Sequence, residues 1–403
     1  MSLISKHLFY QNIGTDLSCK HLHYWNESCM QANLYIAKEA FWGSMKFYLP
    51  IYIIKALLNH NKCKDKAYLK KLLIEEARSA FYGSSLAILF LGGNCILYKV
   101  TGQLHYYNLG LVSGLISGLG LLIETKENHL LDTLIFFTVL VEAVFKNLNE
   151  FDIFKLNNRR ETLLFMGVSS VLMHLLQNRD KNENYTNFWF YTPHTFKTKE
   201  VENSPEISVQ KCDHSSSCSD FALKGAQKYF LLGYAFSIVK KLIPKMLTVY
   251  RKPSTLFKIM ANEDNLRFGV FLGAYVGIYR YIICYLLNNK GFKQKYFGAI
   301  AGLVAGTTYS ISPNFQILTV GITTILQMFY NRTLKTLEIE NKFLPQQLVY
   351  MLAHSLLFHN AIMCQNTCPT YYVNMINTAS NGWYKRIFEN FLLENIFPDQ
   401  LKK

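Results

Sequence analysis

Residues 107–123 read YNLGLVSGLISGLGLLI, seventeen positions without one charged side chain. Gly110, Gly114 and Gly118 recur at every fourth position within it. At 3.6 residues per turn such a triplet falls on one face of a helix, and a face of glycines lets a second backbone approach closely. A spanning helix needs about 20 apolar residues, with a range of about 17–25, so the run is long enough only if its edges are included. It reads as a packing helix of a membrane bundle.

Similar segments lie on both sides. Ser79–Val100 carries no charge before Lys99, Leu131–Phe145 is interrupted only by Asp132 and Glu142, and Thr162–Leu176 carries only His174. Phe41–Leu58 contains Lys46, Pro50 and Lys55 and suits an interfacial helix better than a spanning one. After a polar connector at 181–220 the pattern resumes with Gly225–Ile243, Phe268–Leu287, Gly298–Ile311, Ile317–Tyr330 and Leu348–Met363. The expected organisation is a Cys/His-containing N-terminal region at 1–40, a first membrane block at 41–180, the connector, a second block at 221–363 and a polar tail at 364–403.

The second block echoes the first. GSMKFYLPIY from Gly43 compares with GAQKYFLLGY from Gly225, and Gly110, Gly114 and Gly118 compare with Gly298, Gly302 and Gly306 at a shift of 188. Met166, Ser170 and His174 return as Met351, Ser355 and His359 at a shift of 185. A third glycine triplet, Gly269, Gly273 and Gly277, lies in Phe268–Leu287. The fold expected is therefore an all-α, multi-pass membrane bundle of two homologous tandem repeats, each with about four spanning helices behind an amphipathic one.

Composition agrees. Charged residues make up 17% of the 403, against roughly 25% in a typical soluble domain. Mean hydropathy is only +0.08 because apolar segments alternate with Lys- and Asn-rich connectors. Lys plus Arg number 42 against 27 Asp plus Glu, a net charge of +15. Such an excess suits nucleic acid or an anionic membrane surface. Its placement decides: Lys62, Lys64, Lys66, Lys70 and Lys71, and later Lys240, Lys241 and Arg251, flank apolar segments. No basic helix with interleaved aromatics is present. The expected partner is the lipid bilayer, not nucleic acid.

Polar residues inside the apolar segments are costly in lipid and are functional candidates for that reason. They are Glu142, Arg280, His174, His359 and Gln327. Glu142 and Arg280 are natural counterparts for an ion pair, whereas the histidines read more simply as interhelical hydrogen-bond partners. Cys19, His23 and Cys29 precede the first block, and Cys212, His214 and Cys218 precede the second. Cysteine and histidine are the usual zinc ligands, but neither group has the Cys-x-x-Cys spacing common in structural sites. Metal binding, redox chemistry and inert polar caps stay open, with caps favoured and no cofactor expected. Nine cysteines cannot all pair internally. Asn26, Asn184 and Asn331 lie in glycosylation sequons. P-loop, dinucleotide, zincin and serine-hydrolase motifs are absent, so no catalysis is expected.

HYWNESC at His23–Cys29 resembles the cysteine-rich N-terminal signature of the transmembrane protein 135 family, also called peroxisomal membrane protein 52. Gly43, Tyr48, Pro50 and Tyr52 continue that pattern. NEDNLRFGVFLGAYVGIYR at Asn262–Arg280 resembles a second motif of the family, and Pro369 with Tyr371 adds to it. Glu142 fits a family glutamate, while Gln327 and Ala222 depart from the glutamate and cysteine of the family pattern. The resemblance implies a multi-pass protein of peroxisomal and mitochondrial membranes with protein partners there. The implied roles are peroxisome organisation, the balance of mitochondrial fission and fusion, and lipid metabolism. Its second half is similar to the inner-membrane translocase channel family. A channel or transporter for a lipid or small solute is the other function expected.

Overall fold

The computed structural model describes residues 4–13, 17–179, 189–193, 212, 214, 216–242, 245, 249, 251–288, 293–339 and 343–395. Most of the polar connector, with Asn184, lies outside them. Every regular element among the described residues is helical. In chain order these are α1 (Lys6–Ile13), α2 (Cys29–Leu58), α3 (Lys66–Thr101), α4 (Asn108–Ile123), α5 (Lys126–Glu150), α6 (Asn158–Gln177) and α7 (Cys218–Leu242). There follow α8 (Ser254–Met260), α9 (Glu263–Asn288), α10 (Phe297–Ala305), α11 (Phe315–Thr336), α12 (Phe343–Met363), α13 (Thr370–Ala379) and α14 (Trp383–Asn395).

Local chemistry sets the ends of several helices. The Asp65 carboxylate accepts from the Ala67 amide at the start of α3 (2.9 Å), and Gly102 closes that helix at φ +75°. A left-handed residue after the last turn is where glycine carries no steric penalty. Asn157 and Asn314 cap α6 and α11 in the same manner as Asp65, as expected of a short oxygen-bearing side chain at that position.

The chain forms two compact units, Met1–Phe154 with Ile339–Lys403, and Lys155–Glu338. These boundaries differ from the contiguous blocks 41–180 and 221–363 expected from the sequence. Helix α6 belongs with the second unit, and α12, α13 and α14 belong with the first. Each unit has its own apolar core, built around Phe136, Tyr350, Leu357 and Phe388 in the first and around Phe165, Phe271, Tyr275 and Tyr309 in the second.

The glycine faces organise both cores. In the first unit α4 lies against α12: a Cβ on Gly110, Gly114 or Gly118 would come within 2.8, 2.7 or 2.9 Å of the Cα of His359, Ser355 or Met351. In the second unit α10, with the 3₁₀ turn Gly306–Ile311 that follows it, lies against α6. There a Cβ on Gly298 would meet the Met173 carbonyl at 2.7 Å, one on Gly302 the Ser169 carbonyl at 2.6 Å, and one on Gly306 the Met166 Cα at 2.7 Å. Serines bridge both seams: Ser355 Oγ donates to the Leu111 carbonyl (2.5 Å), and Ser170 Oγ to the Ala299 carbonyl (2.9 Å). The third triplet packs on α7, where a Cβ on Gly273 would lie 2.7 Å from the Ala226 carbonyl.

Among the described residues three helical stretches are long and apolar enough to cross a membrane: Lys66–Thr101, Lys126–Glu150 and Ser254–Asn288. They leave large apolar side chains exposed, among them Phe81, Ile96, Ile135, Val144, Val270 and Tyr281, which suits hydrocarbon better than water. The count is below the eight or so spans expected from the apolar segments. The glycine helices account for part of the gap, since α4 ends in a 3₁₀ turn at Ile123 and reaches only from Asn108, fewer than the 17–25 residues of a usual span.

Candidate metal centres

Four side chains of the first unit meet at one point. Cys19 opens a short 3₁₀ turn, His23 follows it, Cys29 is the first residue of α2, and Cys95 lies near the C-terminal end of α3. Their ligand atoms all lie within 4.8 Å of one another. Cys19 Sγ is 3.7 Å from Cys29 Sγ, which is 3.4 Å from His23 Nε2. Cys19, His23 and Cys95 are buried.

The second unit repeats this arrangement. Cys212 and His214 precede α7, Cys218 is its first residue, and Cys284 projects from α9; again the ligand atoms lie within 4.8 Å of one another. Cys212 Sγ is 3.9 Å from Cys218 Sγ, and His214 Nε2 is 3.3 Å from Cys284 Sγ. The histidines are oriented alike. His23 Nδ1 hydrogen-bonds the Asn26 carbonyl at 2.8 Å, and His214 Nδ1 the Ser216 carbonyl at 2.6 Å. A protonated Nδ1 bonded to a carbonyl leaves Nε2 with its lone pair aimed at the sulfurs, the arrangement that orients metal-ligating histidines. Asn288 Nδ2 reaches Cys218 Sγ at 3.9 Å.

None of these pairs is a disulfide: all are free cysteines, and sulfurs 3.7 and 3.9 Å apart exceed the bonded separation of about 2.05 Å. Burial pushes the Cys19 thiol up to about 11, with the neighbouring Cys29 adding to it, and raises Cys212 for the same reason. A bound divalent ion would supply positive charge that favours thiolates at such a place.

The sequence pointed to six of the eight residues. Cys95 and Cys284 were missed because each sits alone in an apolar helix. The signal that identifies them is the repeat: Cys29 to Cys218 and Cys95 to Cys284 both span 189 positions, close to the 188 of the glycine helices. Ala222 takes no part in the second group.

The other candidates have local partners. Glu142 is buried on α5, where Lys146 one turn on provides its cation at 2.7 Å and Tyr371 of α13 donates to it at 2.8 Å. Arg280 donates to the Phe221 carbonyl at 3.1 Å and lies over that residue's ring at 4.4 Å. Each of the two thus has partners inside its own unit. His174 stacks on Tyr296 at 6.0 Å, and His359 stacks on Tyr107 at 5.9 Å. Both histidines make aromatic contacts at the glycine seams, and His174 Nδ1 also lies 3.2 Å from Asn178 Nδ2. Gln327 is buried on α11, and its Nε2 has no partner among the described residues. A histidine not singled out in the sequence, His354, is wholly buried, with Nε2 3.0 Å from Ser117 Oγ.

Residues 17–148 match the family model for the N-terminal cysteine-rich region of Transmembrane protein 135. The matched stretch contains the complete first group of Cys19, His23, Cys29 and Cys95, and Glu142 as well. No solved structure matches the chain. The three long apolar helices suit a membrane location.

Proposed function

We propose that this chain is a multi-pass member of the transmembrane protein 135 family that organises peroxisomal and mitochondrial membranes through protein partners. In this reading it acts on the balance of mitochondrial fission and fusion and on lipid metabolism, without catalysis of its own. The observation that carries the reading is the family match over residues 17–148, which ends within α5, one of the three helices suited to crossing a membrane. Its membrane part is read as two homologous tandem repeats that exchange their last helices, so that α12 completes the first and α6 the second. The matching glycine seams and the matching Cys/His groups support that reading.

The test is localisation and loss of function together. A tagged full-length chain should coincide with peroxisomal and mitochondrial markers, and its deletion should change peroxisome number and mitochondrial length. Residence in another membrane with unchanged organelles would reject the proposal.

One observation favours the alternative, a carrier or channel for a lipid or small solute. The first unit holds an apolar cavity of about 120 Å³ between Tyr48, Leu86, Phe90, Phe358, Trp383 and Phe388. That is below the roughly 300–1,000 Å³ of a drug-sized site, and it suits a segment of an acyl chain. Purified protein in liposomes separates the two readings: lipid flux abolished by Phe358→Trp, which fills the cavity, would favour transport.

A further inference from the structure

We propose that each unit binds one structural zinc ion, held by Cys19, His23, Cys29 and Cys95 in the first and by Cys212, His214, Cys218 and Cys284 in the second. Zinc–sulfur bonds of about 2.3 Å and zinc–nitrogen bonds of about 2.0–2.1 Å in a tetrahedron place sulfurs about 3.8 Å apart and sulfur about 3.6 Å from nitrogen. The separations observed are 3.7 and 3.9 Å for sulfur pairs and 3.4 and 3.3 Å for sulfur and nitrogen. Two groups independently match this geometry, with the same ligand set and the same histidine orientation.

The ligand chemistry selects the ion. Three sulfurs and one imidazole form a soft set that suits zinc and disfavours magnesium and calcium, which take oxygen. All four positions are filled by protein, so the site is closed and structural; a catalytic zinc keeps one position for water. Each ion would tie the segment ahead of a helix to the neighbouring long apolar helix, α2 to α3 and α7 to α9. Cys29 and Cys218 each begin a helix, where the positive end of the dipole favours a thiolate. Zinc coordination replaces the inert polar caps expected from the sequence, and it stands independently of the membrane in which the chain resides.

The test uses the full chain purified in detergent without chelator. Elemental analysis should find two zinc ions per chain. Cys95→Ser and Cys284→Ser should each lower this to one and together to none, while Cys63→Ser, outside both groups, should leave two. Cobalt should enter the wild-type protein with the intense d–d bands of tetrahedral coordination and with thiolate charge transfer. His23→Cys should retain metal and strengthen the charge transfer, a change that misfolding would not produce. Wild-type chain that holds almost no zinc and takes up no cobalt would overturn the proposal. So would a metal content unaffected by Cys95→Ser and Cys284→Ser, or a mass showing the cysteines of each group joined as disulfides.

Discussion

At Gly114 a single methyl group is too much. The Cβ of any other residue would come 2.7 Å from the Ser355 Cα, and a backbone atom cannot swing aside as a side-chain tip can. Gly114→Val should therefore force α4 and α12 apart at a cost of about 1–3 kcal/mol, read as a lower melting midpoint in detergent. Gly167 on α6 has nothing within 4 Å of its would-be Cβ, so Gly167→Ala should be neutral or stabilising by up to about 1 kcal/mol. Equal effects at the two sites would refute the packing account. Glu142 obeys a different rule, because its carboxylate joins a cation and a donor. Glu142→Gln keeps an acceptor for Tyr371 and should change stability little. Glu142→Leu strands both the Tyr371 hydroxyl and Lys146 and should cost about 1–3 kcal/mol in a thermal melt. The glycine spacing and the buried carboxylate were both legible in the sequence. The partner Tyr371 was not, because it lies 229 positions away in a tail that reads as polar, and nothing local encodes such a contact.

Helix by helix, periodicity revealed more than pairing did. The four-residue glycine rhythm identified α4 and α10 as packing helices, and the recurrence of Met, Ser and His marked α6 and α12 as related. Which ladder receives which helix does not follow from sequence order, since a neighbour along the chain is the default expectation. The structure gives α12 to the first unit and α6 to the second. A fragment of residues 155–338 should accordingly stay helical and resist protease in detergent, because it keeps the α6–α10 seam and the second Cys/His group. A fragment of residues 41–180 should be protease-sensitive and prone to aggregate, with the Gly110–Gly114–Gly118 face bare and α6 separated from α10. The reverse result, a resistant 41–180 and a labile 155–338, would show that the contiguous blocks are the folding units. The metal groups follow the same logic. Their N-terminal members were visible as local clusters, whereas Cys95 and Cys284 could be recognised only through the repeat distance.

For the molecule as a whole, a mean hydropathy of +0.08 conceals a division of labour between apolar helices and a net charge of +15 carried largely in their connectors and ends. That division has a consequence for depth. Ile135 lies near the middle of α5 and is 40% exposed, while Phe151, just beyond the last turn, is 52% exposed. In water the two positions would tolerate arginine about equally, because both side chains already face solvent. In a bilayer they would not: arginine at the centre of a spanning helix costs about 2.5–3.5 kcal/mol, and isoleucine there is favourable by about 0.3–0.6 kcal/mol. Near a helix end a long basic side chain reaches the interface at little cost. Ile135→Arg should therefore lower membrane insertion of α5 about a hundredfold or more, at 1.4 kcal/mol per factor of ten, with Phe151→Arg almost silent. Glycosylation tags flanking α5 in a microsomal insertion assay read both variants directly. Equal insertion would remove α5 from the membrane and leave its exposed apolar face to be covered by protein. A large difference would fix one crossing of the chain and, from the tag that is glycosylated, its direction.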